Sequence, residues 1–369
     1  MPKANETVLE INLTALGDNF QYLKSKVKPS TKFMAVVKAY AYGSDSAEIA
    51  KKLEKLGVDY LAVAYVKEGV ILRDVGIKTP IIVLHPQPIN FETLIDRCLE
   101  PSLYNKNVLT RFIEVAKATK QRNYPVHLKF NTGLNRLGFG KNDVEFITTK
   151  LEETKSIIVK SVFSHLAASE DLSEKKFSEI QINSFENITK KLFKSLTNDP
   201  LKHMCNTSGI LNYPEAHFDM VRSGIGLYGF GNSEKENKNL TPIATLKSII
   251  SQIHHIEKGE SVGYNMAFKS EGVLKTATIP IGHADGISRT YGNGKGWITV
   301  NNKKAPIVGN VCMDMIMINV TDIDCKEGDE VIIFGENNRA DTLAEKNNSI
   351  SYELITAISQ RVKRVFYRE

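Results

Sequence analysis

The feature that most limits how this chain can fold is a repeat. From residue 33 onward, short apolar runs of strand length alternate with stretches of helical spacing: 33–37, 60–64, 80–84, 100–103, 126–130 and 157–163, with two shorter candidates at 202–205 and 220–222. Runs that apolar must be covered on both faces, as parallel strands are when helices cross over them. Eight such strands with intervening helices predict a (β/α)8 barrel of the TIM type, in which chemistry gathers at the C-terminal ends of the strands. Ahead of the repeat, Thr7, Leu9, Ile11 and Leu13 share one side of an expected strand over 6–13, followed by a helix over about 15–26. That strand stands outside the barrel count and is a candidate to join a second domain.

The texture changes after about residue 240. Short alternating segments at 247–256, 273–280, 297–300, 316–320 and 330–334, separated by Gly and Asn turns, predict a mostly antiparallel β domain. A helical segment over 352–359 is expected to end the chain. The polar stretch 231–239 reads as the boundary, so the expected domains are a barrel over 1–239 and a β domain over 240–369. A chain of 369 residues with 42% hydrophobic content can bury cores of that size.

Charge and cysteine usage exclude several function classes. The net charge of +6 arises from 48 basic and 42 acidic residues scattered without a Lys/Arg-rich arm, which argues against nucleic acid as a partner. Cys98, Cys205, Cys312 and Cys325 are far apart and show no metal-ligand spacing, so free thiols in a reducing compartment and no metal are expected. Residues 1–10 are polar and charged, without a secretory pattern, and no segment is apolar enough to span a bilayer. The expected location is the cytoplasm, with no membrane partner.

One strand end carries a specific chemical option. The stretch 33–43 is apolar and β-branched, stops at Lys38, and continues into an aromatic and glycine turn, after which Ser44-Asp45-Ser46 can cap a helix bearing Ile49, Leu53 and Leu56 and stopped by Gly57. A partly desolvated amine there loses its proton more readily than in water and can attack a carbonyl to form a Schiff base. Taken alone, the stretch favours the plainer reading of a lysine snorkelling from a strand end. Yet Lys129, Arg136, His165, Asn206-Thr207-Ser208 and Arg222 all fall at the ends of expected strands and would converge with Lys38 on one mouth.

At these residues the chain resembles the alanine racemases. Lys38-Ala39-Tyr40-Ala41-Tyr42-Gly43 resembles their cofactor-lysine signature. Further matches follow in order: His127 to Gly133 leading into Asn135-Arg136-Leu137-Gly138, Ser164-His165-Leu166-Ala167, Asn206-Thr207-Ser208, Met220 to Ile225, Val262-Gly263-Tyr264, Ile279 to Gly286, Val311-Cys312-Met313-Asp314 and Tyr352. The resemblance spans nearly the whole chain. It implies an isomerase interconverting L- and D-alanine on pyridoxal 5′-phosphate, supplying D-alanine for peptidoglycan.

It further implies that Lys38 holds the cofactor as a Schiff base and acts as one of two acid–bases, with Tyr264 as the other. Tyr264 and Met313 would reach the partner subunit's site in a homodimer. Racemisation needs two bases because a proton leaves one face of a planar centre and returns to the other. Arg222 would face the pyridine nitrogen as a donor, where many pyridoxal enzymes place a carboxylate. Tyr42, Thr207, Tyr352 and the backbone of Gly224 and Ile225 would hold the phosphate, and His165 would lie near the ring. Arg136 would serve the phenolic oxygen and the substrate carboxylate, while Lys129 matches a lysine carbamylated in many relatives.

The chain departs from the family pattern at a few positions. Tyr40 stands in place of Asp or Asn, Ser44-Asp45 in place of His-Gly, Asn131 in place of a frequent Asp, and Thr207 in place of Ser. His283 replaces a tyrosine that lines the substrate entrance in relatives, so it bears on substrate range. Competing readings are a broad-specificity amino-acid racemase, a non-catalytic pyridoxal-phosphate-binding protein that needs no second base, and a related decarboxylase.

Overall fold

The structure is a computed structural model that describes residues 4–368. The chain begins with strand β1 (Val8–Asn12) and helix α1 (Leu13–Lys24), capped by the Asn12 side chain, which accepts from Thr14 N and Ala15 N. Eight parallel strands then close a barrel: β2 (Lys32–Val36), β3 (Tyr60–Val63), β4 (Ile81–Val83), β5 (Glu100–Leu103), β6 (Tyr124–Lys129), β7 (Ile157–Phe163), β8 (Leu201–His203) and β9 (Met220–Ser223). Closure comes from β9 pairing with β2, with Met34 opposite Arg222. Every residue of β4 is buried, as expected of a strand packed between a filled barrel interior and a ring of helices.

The second layer system is a nine-stranded sheet with the order β11-β14-β17-β16-β15-β18-β10-β1-β19. Its members are β10 (Ala244–Ile249), β11 (Gln252–Ile256), β14 (Leu274–Ile279), β15 (Trp297–Val300), β16 (Lys303–Val308), β17 (Ile316–Asn319), β18 (Glu330–Phe334) and β19 (Lys363–Tyr367), together with β1. A two-stranded ribbon, β12 (Ser261–Val262) with β13 (Phe268–Lys269), stands beside it. Along β10, buried residues alternate with half-buried ones, the signature of a sheet with one face covered. The N-terminal β1 pairs antiparallel with β10 and parallel with β19, so the start and end of the chain meet in this sheet.

Two local expectations are corrected, and one strand was not foreseen. The run 247–256 is not one strand: Ile250 N donates to Asp329 O and Ser251 N to Thr278 O, so the backbone changes neighbours there and continues as β11 in another part of the sheet. The chain does not end in a helix, because β19 follows the helix Ser351–Ala357 and its charged Lys363 and Arg364 disguise a strand at the sheet edge. β16 carries Lys303, Lys304 and Pro306, a composition that argues against a strand until its pairing with β15 is known.

Lys38 lies two residues beyond β2, at the start of an uncommon turn. Ala39, Tyr40, Ala41 and Tyr42 have φ of 53°, 55°, 50° and 52°, a left-handed helical turn built from residues with Cβ atoms. Each such residue costs roughly 1–2 kcal/mol relative to the right-handed region. Neighbouring groups offset this cost. The Glu68 carboxylate accepts from Ala39 N (2.6 Å) and Ala64 N (2.7 Å), and the Tyr42 ring stacks on Tyr228 at 4.4 Å. Arg364 of β19 donates to Gly43 O from Nε and Nη2 at 3.1 and 2.9 Å.

Two of the departures from the family pattern meet in this turn. Asp45 caps the helix Ser46–Lys55 through Ala47 N and accepts from the Tyr40 hydroxyl at 2.7 Å. Asp45 has a φ of 83°, a conformation glycine adopts without strain, and the cap and phenol contacts stabilise aspartate in that place.

Gly43, with a φ of +83°, has the Ile355 carbonyl oxygen 2.2 Å from where a Cβ would stand, whereas Gly57 at +80° faces open space. Gly43→Ala is therefore expected to destabilise the fold by about 2 kcal/mol or more against about 1 for Gly57→Ala, and so to lower the thermal midpoint further. Equal midpoints in differential scanning calorimetry would show that the helix Ser351–Ala357 does not hold this turn.

Candidate active site

A cavity of about 730 Å³ opens at the C-terminal mouth of the barrel. Lys38 and Tyr42 reach it from the left-handed turn, Lys129 from the end of β6, Arg136 and His165 from the loops after β6 and β7, and Arg222 from β9. Thr207, Gly224 and Ile225 come from the turns after β8 and β9, and Tyr352 from the helix Ser351–Ala357. Ten of the residues expected at the site thus share one space. Tyr264 and Met313 do not: they line a second cavity of about 780 Å³ on the β domain, together with Val262, Cys312 and Met317.

The charge in the barrel mouth is one-sided. Lys38, Lys129, Arg136 and Arg222 line the cavity, and among the described residues no carboxylate does. Burial, reinforced by Arg136, pulls the Lys38 amine below its ordinary value, with Glu68 partly opposing. Lys129 falls to about 8 through burial and then the charges of Arg136, Arg222 and Lys38. Burial brings Arg222 down to about 10, which leaves it charged at neutral pH. His165 lies well below its ordinary value, first from burial and then from Arg222, so its ring is neutral and its Nδ1 accepts from Arg222 Nη2 at 3.1 Å. The phenols move the other way: burial raises Tyr42 and brings Tyr352 up to about 12, so both are O–H donors at neutral pH.

This donor set suits an anion, and one corner is shaped to receive it. A Cβ on Gly224 would stand 2.2 Å from the Tyr42 hydroxyl, so only glycine lets the phenol reach that backbone. Gly224 precedes the short turn Ile225–Tyr228, and Thr207 opens the helix Thr207–Asn212, whose Asn206 cap accepts from Gly209 N at 2.8 Å. Amides at such starts have no partner within the turn. Thr207 Oγ1 also lies 3.0 Å from Ser223 Oγ and accepts from Gly226 N at 3.2 Å.

Sequence reasoning missed Asn232, which accepts from the Tyr352 hydroxyl at 3.3 Å and lines the cavity, because it lies in the polar stretch read as a domain boundary. Tyr65 and His85 also line the cavity; each directly follows an expected strand, 60–64 and 80–84, and that position is the signal that could have found them. His283 is exposed and lines a separate surface cavity with Ser288 and Glu353, apart from Lys38.

Two family models match the chain: "Alanine racemase, N-terminal domain" over residues 11–231 and "Alanine racemase, C-terminal domain" over residues 243–366. The chain belongs to the alanine racemase family. "Alanine racemase 2" of Caldanaerobacter subterraneus is 36% identical, with 98% of this chain and 94% of that protein covered. The solved alanine racemase of Clostridium difficile 630 superposes with a TM-score of 0.93 at 34% identity, covering 100% of this chain and 97% of that one. A Bartonella henselae alanine racemase described as holding covalently bound pyridoxal phosphate superposes at 0.89 with 28% identity, covering 99% and 100%. Alanine racemases are pyridoxal-phosphate-dependent isomerases, and alanine racemisation is the activity of this chain.

The electrostatics of this alanine racemase site make a testable statement about stability. The folded Lys129 value of about 8 lies below the unfolded value of 10.5, so between those values the unfolded chain binds more protons and folding is favoured as pH rises. Cofactor-free protein in carbon-dioxide-depleted buffer should gain stability from pH 8 to 10, by at most about 1.4 kcal/mol per pH unit from this group. Lys129→Met should remove that gain. Identical pH–midpoint curves for the two proteins would contradict the assignment.

Proposed function

We propose that the Lys38 cavity holds pyridoxal 5′-phosphate and alanine, and that Lys38 and the partner subunit's Tyr264 are the two acid–bases of racemisation. The observation that carries this reading is the gathering of Lys129, Arg136, Arg222 and several hydroxyl donors around the Lys38 amine at the mouth of the barrel, with no carboxylate among the described lining residues. Tyr42, Thr207, Tyr352 and the amides of Gly224 and Ile225 would hold the phosphate, Arg222 and His165 would orient the ring, and Lys38 would bind it covalently. When bound, the cofactor supplies an electron sink that acidifies the substrate's α-hydrogen.

The remaining work belongs to the chain's own groups. With its proton affinity lowered by burial and Arg136, Lys38 Nζ can be neutral and take or return a proton on one face of the α-carbon. The phenol oxygen of the partner subunit's Tyr264 serves the other face, and the two exchange roles with the direction of reaction. Arg136 binds the substrate carboxylate. Arg222 has only donors to offer and stays charged, so it orients the ring without delivering its proton. Lys129, neutral in part above about pH 8, is open to carbamylation, which would turn it into an anion that positions Arg136.

The same division of parts supports a homodimer. Tyr264 and Met266 are each 74% exposed, and Met313 and Met315 are 59% and 47% exposed, an apolar patch on the domain that lacks a cofactor lysine. On the family resemblance, the D-alanine formed supplies peptidoglycan synthesis in the cytoplasm. In support, all four cysteines are free and no helix among the described residues is long and apolar enough to cross a membrane. A second reading keeps the chemistry and widens the substrate. It rests on the exposed His283, and comparable turnover of serine or larger amino acids would favour it.

The test is complementation between two inactive variants. Lys38→Ala and Tyr264→Phe should each lose D-alanine formation. Equal co-expression should restore roughly a quarter of the wild-type rate, because half the dimers are mixed and each mixed dimer has one intact site. No recovery in a mixture shown to exchange subunits would sink the shared-site reading.

A further inference from the structure

Arg222 is the first member of a buried chain of side chains that crosses the barrel. Its Nη1 donates to His203 Nδ1 at 2.5 Å, and His203 Nε2 lies 2.8 Å from Ser161 Oγ. Ser161 Oγ is 2.6 Å from His127 Nδ1, and His127 Nε2 is 2.7 Å from Glu100 Oε2. These five residues come from β9, β8, β7, β6 and β5, so each link spans one gap between neighbouring strands.

The chain also descends. His203 pairs with Met220, two residues below Arg222; Ser161 pairs with Leu201, two below His203; His127 pairs with Ser161; and Glu100 lies two below Ser102, the partner of His127. Arg222 is next to last in β9 and Glu100 is first in β5, so the chain runs from the mouth of the cavity toward the opposite end of the barrel. His127 and Ser161 are fully buried, and the Glu100 side chain is 13% exposed. Phe163 stacks flat on His203 at 4.8 Å, and the edge of Tyr60 meets His127 at 6.0 Å.

One constraint sets every proton in this chain. A guanidinium has donors only, so His203 Nδ1 must be an acceptor and the ring, if neutral, carries its hydrogen on Nε2. Burial and then Arg222 hold His203 well below its ordinary value, which keeps it neutral. Ser161 Oγ therefore accepts from His203 and gives its own hydrogen to His127 Nδ1. His127 is then left with its hydrogen on Nε2, aimed at the Glu100 carboxylate. Were His127 doubly protonated, Ser161 would receive two donors and its own hydrogen would have no acceptor in the chain. All donors point away from Arg222, the arrangement in which successive hydrogen bonds polarise one another in the same sense.

Among the described residues Arg222 forms no ion pair, and the carboxylate at the far end of this chain is the negative group to which it is linked. We propose that Ser161, His127 and Glu100 are positioning residues for Arg222: their one-way hydrogen-bond chain keeps His203 an acceptor and holds the guanidinium edge turned, as a donor, toward the cofactor ring. Their role toward the ring rests on the cofactor site proposed above, whereas the chain itself is a property of the protein without cofactor.

Selective 15N-histidine labelling of a protein with eight histidines reads the chain directly. In cofactor-free wild type, His127 and His203 are both expected as neutral Nε2–H tautomers. A doubly protonated ring or an Nδ1–H tautomer at either position overturns the proposal. In cofactor-loaded enzyme, Ser161→Ala is expected to lower kcat about tenfold, a cost of about 1.4 kcal/mol, with little change in the KM for alanine and a shifted absorbance of the bound cofactor. Glu100→Leu lies at the more open end of the barrel and provides the reading if Ser161→Ala does not fold. It is expected to disturb the His127 tautomer and lower kcat in the same sense, while Glu100→Gln, which keeps an acceptor oxygen, preserves both tautomers. Wild-type kcat and absorbance in Ser161→Ala, or in Glu100→Leu, overturn the positioning role. A wild-type protein with both tautomers in place but no racemisation would refute the site reading and leave the chain standing.

Discussion

The structure depends on concentrating positive charge in an apolar barrel mouth. Two lysines and two arginines line one cavity with no carboxylate among the described lining residues, an arrangement that is unfavourable until an anion arrives. The scaffold tolerates it by several small compensations. Arg222 is satisfied by the Ser164 and Met204 carbonyls at 2.8 and 3.0 Å and by two neutral imidazoles, and its guanidinium and the Lys129 amine both lie over the Phe163 ring. Lowered proton affinity does the rest, since Lys38 and Lys129 can shed charge more easily than lysines in water. A phosphate and a substrate carboxylate are the groups that would relieve the remainder.

The Lys38 amine is placed in this cavity by strained backbone. Four left-handed residues with side chains follow Lys38, and they are held by Glu68 on one side and by the C-terminal part of the chain on the other. Arg364 grips the Gly43 carbonyl, the Ile355 carbonyl fills the space a Cβ would need, and Tyr352 supplies a phenol to the cavity. The β domain is thus part of the Lys38 turn's support as well as the carrier of Tyr264. Strain of this kind persists where the surroundings over-determine it, and here β19, paired with β1, supplies Arg364 to that support.

Much of the barrel was legible because its signal is local and repetitive. Ile81, Ile82 and Val83 can hardly be anything but a covered strand, and a strand ending near Lys38 before a capped helix predicts a side chain at the mouth. The β domain was legible as a class and less so in detail. β16 hides behind Lys303, Lys304 and Pro306, and β19 behind Lys363 and Arg364, because an edge or partly exposed strand owes its stability to a partner that the local sequence does not reveal. Asn232 was passed over for a similar reason: a polar residue in a loop has no periodicity to mark it, and its role comes from the Tyr352 hydroxyl that reaches it across 120 residues.

The sequence by itself determined the alternation of elements, the caps, the cationic residues at the strand ends and the family to which they belong, since these depend on residues close together in the chain. Only the tertiary structure decided that β1 joins β10 and β19, that ten expected residues share one cavity while Tyr264 stands on another surface, and that His127, Ser161 and His203 link Arg222 to Glu100. The physical reason is range. Propensity and capping act over a few residues, whereas hydrogen-bond direction, desolvation and charge repulsion are set by whichever groups the closed barrel brings within about 3 Å.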